Sequence, residues 1–542
     1  MEKTSAPVWL ALLTLTVYPA CAANETAAPA PAAPAAARTP AAPTSAAAVA
    51  EPAPAPDKAA PTALIEHIGA GRSKLYPVDR KGYETADYSR LPIGVFDSGI
   101  GGLTVFNAIL QLDEFNNKTH QPGADGIPDF RDERFIYYGD QANMPYGRYA
   151  SVGKENFLRE LVIEDAAFLL GNRYWPSAQA TAPLSDKPMV KAVVVACNTA
   201  TAYGINDLRA AFEAWKIPMI LVGVVEAGSE GAVSSMKQRG DQGAVAVMAT
   251  VGTCQSNAYP KTIERFSKTN GVQAPKIVQQ GSVGLAGAIE GDPAFVRSSA
   301  ATSAAASATK YQGPAVGNTS ASIDPELKSA YGFEASGLAG DPNQVGTWRL
   351  NSVENYVRYD VTTLVEAHRK QGASAPISTV VLGCTHFPFQ REQIAAQFER
   401  LRNYRDASGA QPYQKVVSSH IELVDPAKLT AKQLYVALAS KARFRENGKA
   451  PVLEQNAFFI SRPNASLPEV KLTADGTLEA SYKYGRMAGT YDTETVKRVP
   501  MRSEDLTPEL RALVQKAMPA VWESFQTFQT SRWVTGAKTA AR

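Results

Sequence analysis

The sequence predicts an α/β protein built from two similar, doubly wound lobes with parallel sheets, its active site in the cleft between them. Three observations carry this. Val193-Val194-Val195-Ala196-Cys197-Asn198-Thr199 and Val380-Val381-Leu382-Gly383-Cys384-Thr385-His386 are apolar runs that end in a cysteine and polar residues. Such runs suit strands buried on both faces of a parallel sheet. Ile93–Phe96, the turn Asp97-Ser98-Gly99-Ile100-Gly101-Gly102 and a helically spaced stretch to Leu112 read as strand, glycine turn and helix. The order also repeats: strand–Asp97 and strand–Cys197 come first, then strand–Thr250 and strand–Cys384. Ligands of open α/β sheets bind beyond the carboxyl ends of the strands, so two such lobes would bring two thiols to one cleft.

At 542 residues the chain is too long for one ordinary core. Lys3, the apolar segment Val8–Val17 and Ala20-Cys21-Ala22 read as a secretory signal over residues 1–22. Cys21 is either lost with that signal or kept as a lipid-attachment site, an alternative weakened by Tyr18 and Pro19. Residues 23–62 are dominated by Ala and Pro and read as a semi-extended tether, which suggests a periplasmic or envelope protein. No later run is long and apolar enough for a multi-span membrane protein.

Globular sequence begins near 63. At the glycine turn, backbone N–H groups can hold an anion such as a carboxylate, although glycines also serve tight turns with no ligand. Residues 113–133 form a polar loop; Asp125, Asp129, Asp132 and Glu133 faintly resemble a calcium loop, but the ligand spacing is incomplete and a solvated insertion is favoured. Phe135–Tyr138 is a strand, followed by Gly139-Asp140 and the fixed turn Met144-Pro145-Tyr146-Gly147. Residues 154–171 are helical and 172–190 a loop. Asn198 and Thr199 are N-cap types for the helix after Cys197.

Pro218–Val224 opens the second lobe in this reading. Ala244–Met248 and Lys276–Val278 are strands, and Leu285–Glu290 starts a helix. Residues 298–309 are nearly all Ala, Ser and Thr, and 298–345 reads as a low-order insertion. A helix over Asn351–Lys370 precedes the Cys384 strand. Then come a helix near 389–401, a strand near 420–424, a helix near 430–441 and a strand at Phe458–Ser461. A terminal helix over 507–530 is broken at Pro519.

Lys and Arg number 55 against 52 Asp and Glu, a net charge of only +3, which argues against nucleic-acid binding. The four cysteines, Cys21, Cys197, Cys254 and Cys384, are too sparse for a disulfide scaffold, and no CxxC pair suggests zinc. A buried thiol is usually inert, and Cys254 can be read so. Two thiols at facing strand ends could be structural, a disulfide, a metal pair or a catalytic pair. A metal pair needs further ligands, and His386 alone is nearby in sequence. A catalytic pair has its own logic: inverting a stereocentre by proton transfer needs a base on one face of the carbon and an acid on the other. A free thiol is only about 3% ionised at pH 7, so the thiolate needs help. His386 and Asp97 are the candidate helpers.

These residues carry a resemblance. Ile93–Gly99, Pro145-Tyr146-Gly147, Ala196-Cys197-Asn198-Thr199-Ala200 and Leu382-Gly383-Cys384-Thr385-His386-Phe387-Pro388 resemble, in order, the motifs of glutamate racemase in the aspartate/glutamate racemase superfamily. Thr250–Thr253 with Ala258-Tyr259 looks like its substrate-binding threonine segment, and Glu290 matches its acidic residue. The resemblance covers about 91–290 and 376–440. It implies a racemase without cofactor or metal that inverts an amino acid, glutamate first, between two lobes. By that match Cys197 and Cys384 are the acid/base pair, Asp97 and Glu290 tune the transfers, and His386 assists Cys384. Ser98, Pro145, Tyr146, Gly147, Asn198, Thr199, Thr250, Thr253 and Thr385 would hold the carboxylates and amine. Residues 63–217 and 423–542 would form lobe one and 218–422 lobe two. The export signal, the tether, the insertions and the longer C-terminus depart from the family's compact cytoplasmic members. Three matters stay open at this stage: an aspartate or other amino-acid substrate, a non-catalytic envelope amino-acid-binding protein, and a homodimer.

Overall fold

The structure is a computed structural model that describes residues 61–297, 311–319, 321–341, 343–445 and 448–536. The signal and the tether therefore lie outside the described residues, apart from the tether's last two, as does the whole Ala/Ser/Thr run 298–309. Ten strands build the two main sheets: β1 Ile93–Asp97, β2 Phe135–Gly139, β3 Ala192–Val195, β4 Ile220–Gly223, β5 Ala244–Thr250, β6 Ile277–Ser282, β7 Ile377–Gly383, β8 Val417–Val424, β9 Ala457–Pro463 and β10 Val496–Pro500.

The first sheet runs β10-β9-β2-β1-β3-β4 and the second β8-β7-β5-β6. Every pairing is parallel except the β9–β10 edge. Parallel strands need helices on both faces, and the composition supplies them. Val193, Val194 and Val195 are wholly buried, and each such valine contributes roughly 1.5–3 kcal/mol of burial. Helices Leu103–Leu110, Glu155–Leu170, Asn198–Ala214, Pro426–Ser440 and Pro519–Gln529 contribute buried residues to the first core. Helices Val353–Lys370 and Arg391–Asn403 do the same for the second.

Several boundaries differ from the sequence reading. Ile220–Gly223 pairs with β3, so it is the last strand of the first sheet rather than the opening of the second lobe at 218. Val417–Val424 pairs with β7, so the chain leaves the second sheet after 424, just past the expected 422. The described part of the 298–345 insertion is not low-order. Ile323, Ala330 and Tyr331 are buried with Trp348 and Leu350 in the second core, and Tyr331 stacks on Phe333 at 4.6 Å. Its apolar residues are too widely spaced to show a period, yet short helical turns at Pro325–Leu327 and Lys328–Tyr331 bring them to one surface.

The terminal helix is two helices, Pro508–Ala517 and Pro519–Gln529, divided as Pro519 requires. The 113–133 loop is organised by its own carboxylates. Asp129 accepts from the backbone of Glu114 and Phe115, Asp125 from Asn117 and Ile127, and Asp113 from Asp125 and Gly126. Among the described residues no group of three or more His, Cys, Asp or Glu is placed to hold a metal, and no helix is long and apolar enough to cross a membrane.

Candidate active site

The ends of β1 and β3 are neighbours in the first sheet and the ends of β5 and β7 in the second, so topology puts Asp97, Cys197, Thr250 and Cys384 at strand ends. Cys197 and Cys384 line one cavity, with Ser98, Met144, Pro145, Tyr146, Gly147, Asn198, Thr199, Thr250, Ala286, Thr385 and His386. The two thiols are free, as is Cys254.

Cys197 follows β3 and is itself the N-cap of the next helix. Its Sγ accepts from the Ala200 N–H at 3.4 Å and donates to Ser98 Oγ at 3.5 Å. Asn198 and Thr199 are therefore inside the first turn, and the N-cap expected of them is supplied by the thiol. Asp97 is wholly buried behind the glycine turn. Its Oδ2 accepts from Gly102 N at 2.9 Å and Gly99 N at 3.2 Å, while Oδ1 has no hydrogen-bond partner. Burial pushes Asp97 above the usual carboxylate range, against the pull of His386 and the two backbone donors. Burial, and then the Asp97 charge, push the Cys197 thiol up to about 12. The glycines here are steric requirements: a Cβ on Gly102 would lie 2.5 Å from the Asp97 Cβ, and one on Gly101 2.5 Å from Thr385 Oγ1 and 2.7 Å from His386 Nδ1.

Cys384 has different company. His386 Nδ1 lies 3.7 Å from its Sγ, and His386 Nε2 lies 2.7 Å from Glu290 Oε1. Burial disfavours the imidazolium, but hydrogen bonds to Cys384 and Glu290 outweigh it and hold the His386 pKa well above its ordinary value.

The remaining wall is polar. Thr199, Thr250 and Thr253 hydroxyls form a triangle with 3.0 Å sides that joins the two lobes. Thr250 caps the following helix through Thr253 N, and Thr253 sits behind it rather than in the cavity wall. Asn198 Oδ1 accepts the Tyr259 hydroxyl at 2.5 Å. The Tyr146 hydroxyl points away from any ligand, to Asp140 Oδ2 at 2.5 Å and Asp165 Oδ2 at 2.6 Å. What Tyr146 can offer a ligand is therefore its backbone and ring edge, not its hydroxyl. Close approach locks the lobes here: a Cβ on Gly147 would sit 2.5 Å from Thr250 Oγ1, and Thr104 Oγ1 donates to the Thr385 carbonyl at 3.3 Å.

Sequence reasoning missed Gln141. Its Nε2 donates to Glu290 Oε2 at 3.1 Å, so a first-lobe amide holds the carboxylate that holds His386. Met144 and Ala286 of the wall were likewise unassigned. No sequence signal singles them out, because each depends on how the lobes meet.

The class these features define is a two-lobed α/β protein whose cleft presents two thiols, each at the end of a parallel strand, to one polar cavity. No family model matches the chain. A glutamate racemase of Limosilactobacillus fermentum is 35% identical over 205 residues, 37% of this chain and 59% of that protein. One from Sulfurihydrogenibium is 33% identical over 178 residues, 33% of this chain and 51% of its own. One from Thermus thermophilus is 27% identical over 365 residues, 67% of this chain and 86% of its own. The chain thus matches about three-fifths of the length of the first relative. A solved glutamate racemase from Bacillus anthracis superposes with a TM-score of 0.40 at 21% identity, covering 69% of this chain and 89% of that one. The chain is thus similar in sequence to glutamate racemases, in line with the resemblance that its motifs carry.

Proposed function

We propose that the protein is an amino-acid racemase, acting on glutamate without an organic cofactor or metal, and that Cys197 and Cys384 exchange the α-proton. The single observation that carries this is that both thiols line one cavity from opposite lobes, each with its own proton partner. One sulfur, as thiolate, takes the α-hydrogen; the other, as thiol, returns a proton to the opposite face of the carbon. A positioned base or acid contributes about 10²–10⁴-fold to such a step.

In this reading His386 holds the Cys384 thiolate and Glu290 holds His386. Asp97, two hydrogen bonds from the glycine turn, keeps Cys197 protonated until substrate arrives. The carboxylate and amine of the amino acid meet Ser98, Asn198, Thr199, Thr250, Thr385 and the Pro145–Gly147 backbone, with Thr253 behind Thr250. The names of the relatives favour glutamate.

Export to the envelope is part of the proposal and rests on the Val8–Val17 segment and Ala20-Cys21-Ala22 alone. Fractionation of cells expressing the full chain tests it, with the protein recovered outside the cytoplasm expected. The activity is tested by incubating purified protein with single L-amino acids, no pyridoxal phosphate added, followed by chiral chromatography. D-Glutamate is expected to accumulate towards an equal mixture, with aspartate and the others slower. Inversion of no amino acid, or inversion only after pyridoxal phosphate is added, contradicts the proposal.

A further inference from the structure

The cavity wall formed by Met144–Gly147 is gripped from outside by a segment of the chain that the motifs do not include. Within the stretch 464–495 between β9 and β10, residues 483–486 lie against this turn and the helix Gly147–Ser151 that follows it. A short helix, Ala480–Gly485, supplies the grip. Lys483 Nζ donates to the Met144 carbonyl at 2.7 Å. Arg486 Nη2 donates to Asn143 Oδ1 at 2.5 Å and to the Tyr149 hydroxyl at 3.2 Å. The Tyr484 ring meets Tyr149 edge-on at 5.0 Å and lies 4.8 Å under the Arg148 guanidinium.

Lys483 is the centre of this contact. Its ammonium is partly buried and feels Arg486 and Arg148 as like charges and Asp292 and Asp140 as attractions. Asp292 lies two residues beyond Glu290 in the second lobe, and Asp140 begins the cavity turn. Burial pulls the amine down to about 8, and the acceptor it meets directly is the Met144 carbonyl. Met144 directly precedes Pro145, Tyr146 and Gly147, which line the cavity.

We propose that Lys483 is a positioning residue for the substrate wall: through the Met144 carbonyl it fixes the Pro145–Gly147 backbone. The inference rests on the racemase reading for its consequence, but its physical core, a held turn, stands apart from it. Lys483 does not touch the reacting atoms, so its removal acts on binding geometry rather than on proton transfer.

The test compares Lys483→Met, Lys483→Arg and, as a control on the exposed part of the same segment, Lys471→Met, all in the full chain. In Lys483→Met, KM for glutamate is expected to rise about tenfold, as for loss of one charge-assisted hydrogen bond, with kcat within about twofold. Lys483→Arg restores KM and Lys471→Met leaves it unchanged. Amide hydrogen exchange without substrate supplies an independent arm, in which exchange over 142–150 accelerates in Lys483→Met only. Unchanged exchange over 142–150, a fall confined to kcat, or Lys483→Arg behaving like Lys483→Met overturns the inference. A wild-type protein with no turnover defeats the racemase reading instead, and the exchange arm then decides the positioning role by itself.

Discussion

Cys197 and Cys384 are shielded alike, 5% and 6% exposed, yet they sit in opposite electrostatic surroundings. Cys197 faces a hydroxyl, one backbone N–H and the nearby carboxylate of Asp97. Cys384 faces an imidazole whose far nitrogen is held by Glu290. Burial and then the Asp97 charge push the first thiol up to about 12, whereas the second lies beside an imidazole held well above its ordinary pKa. The contrast teaches that symmetric chemistry does not need a symmetric site.

The largest expected effects come from breaking either side. Cys197→Ala and Cys384→Ala should each lower racemisation by on the order of 10²–10⁴-fold, measured by chiral chromatography. Full activity in either variant removes that sulfur from the mechanism.

The contrast itself is sharpened by alkylation. With equal shielding, iodoacetamide should label Cys384 before Cys197 near pH 7, as read by peptide mass spectrometry. His386→Gln should slow labelling of Cys384 by roughly tenfold and leave Cys197 unchanged, since the cation that favours the thiolate is gone. Asp97→Asn should act on the other side only. Removing the neighbouring charge lets the Cys197 thiol fall from about 12, so its labelling above pH 8 should quicken.

A smaller effect separates the lobes by stability. Asp360, in the second lobe, is wholly shielded and accepts from Ser282 Oγ at 2.5 Å and Gln280 Nε2 at 3.2 Å. Burial raises its pKa from the ordinary carboxylate range to about 7. A raised folded-state value means that protonation stabilises the fold: the contribution is complete below the unfolded value and is lost as pH climbs through about 7. Asp360→Asn should therefore raise the thermal midpoint at pH 8 and change it little at pH 4. Calorimetry showing the same shift at both would exclude this origin.

How much of this was legible in the sequence depends on the range of the interaction. The strands ending at Cys197 and Cys384 were legible because an uninterrupted apolar run has no other soluble home. The break at Pro519 was legible because proline cannot donate within a helix. Val496–Pro500 was not: Lys497 and Arg498 interrupt its pattern, and both are buried, Arg498 against Glu164. Nothing local announces such a pairing across the fold. The order of the insertion 298–345 around Tyr331 was not legible for a related reason, since isolated aromatic residues show no period until they converge. In the site, the motif residues came from recognisable local strings, whereas Gln141 on Glu290 and Lys483 on Met144 are contacts between distant segments. The direction of the Tyr146 hydroxyl likewise follows from Asp165, on a helix that carries no motif.

The central claim is that two different sulfurs serve the two faces of one carbon. It is tested most directly by starting with one glutamate enantiomer in deuterated water and following isotope content at early times in both pools. The account predicts that the product enantiomer carries α-deuterium from the start while unreacted substrate stays protiated, because the returned proton comes from a second, solvent-exchanged thiol. Deuterium entering substrate and product at equal rates would mean a single base working on both faces, and would contradict it.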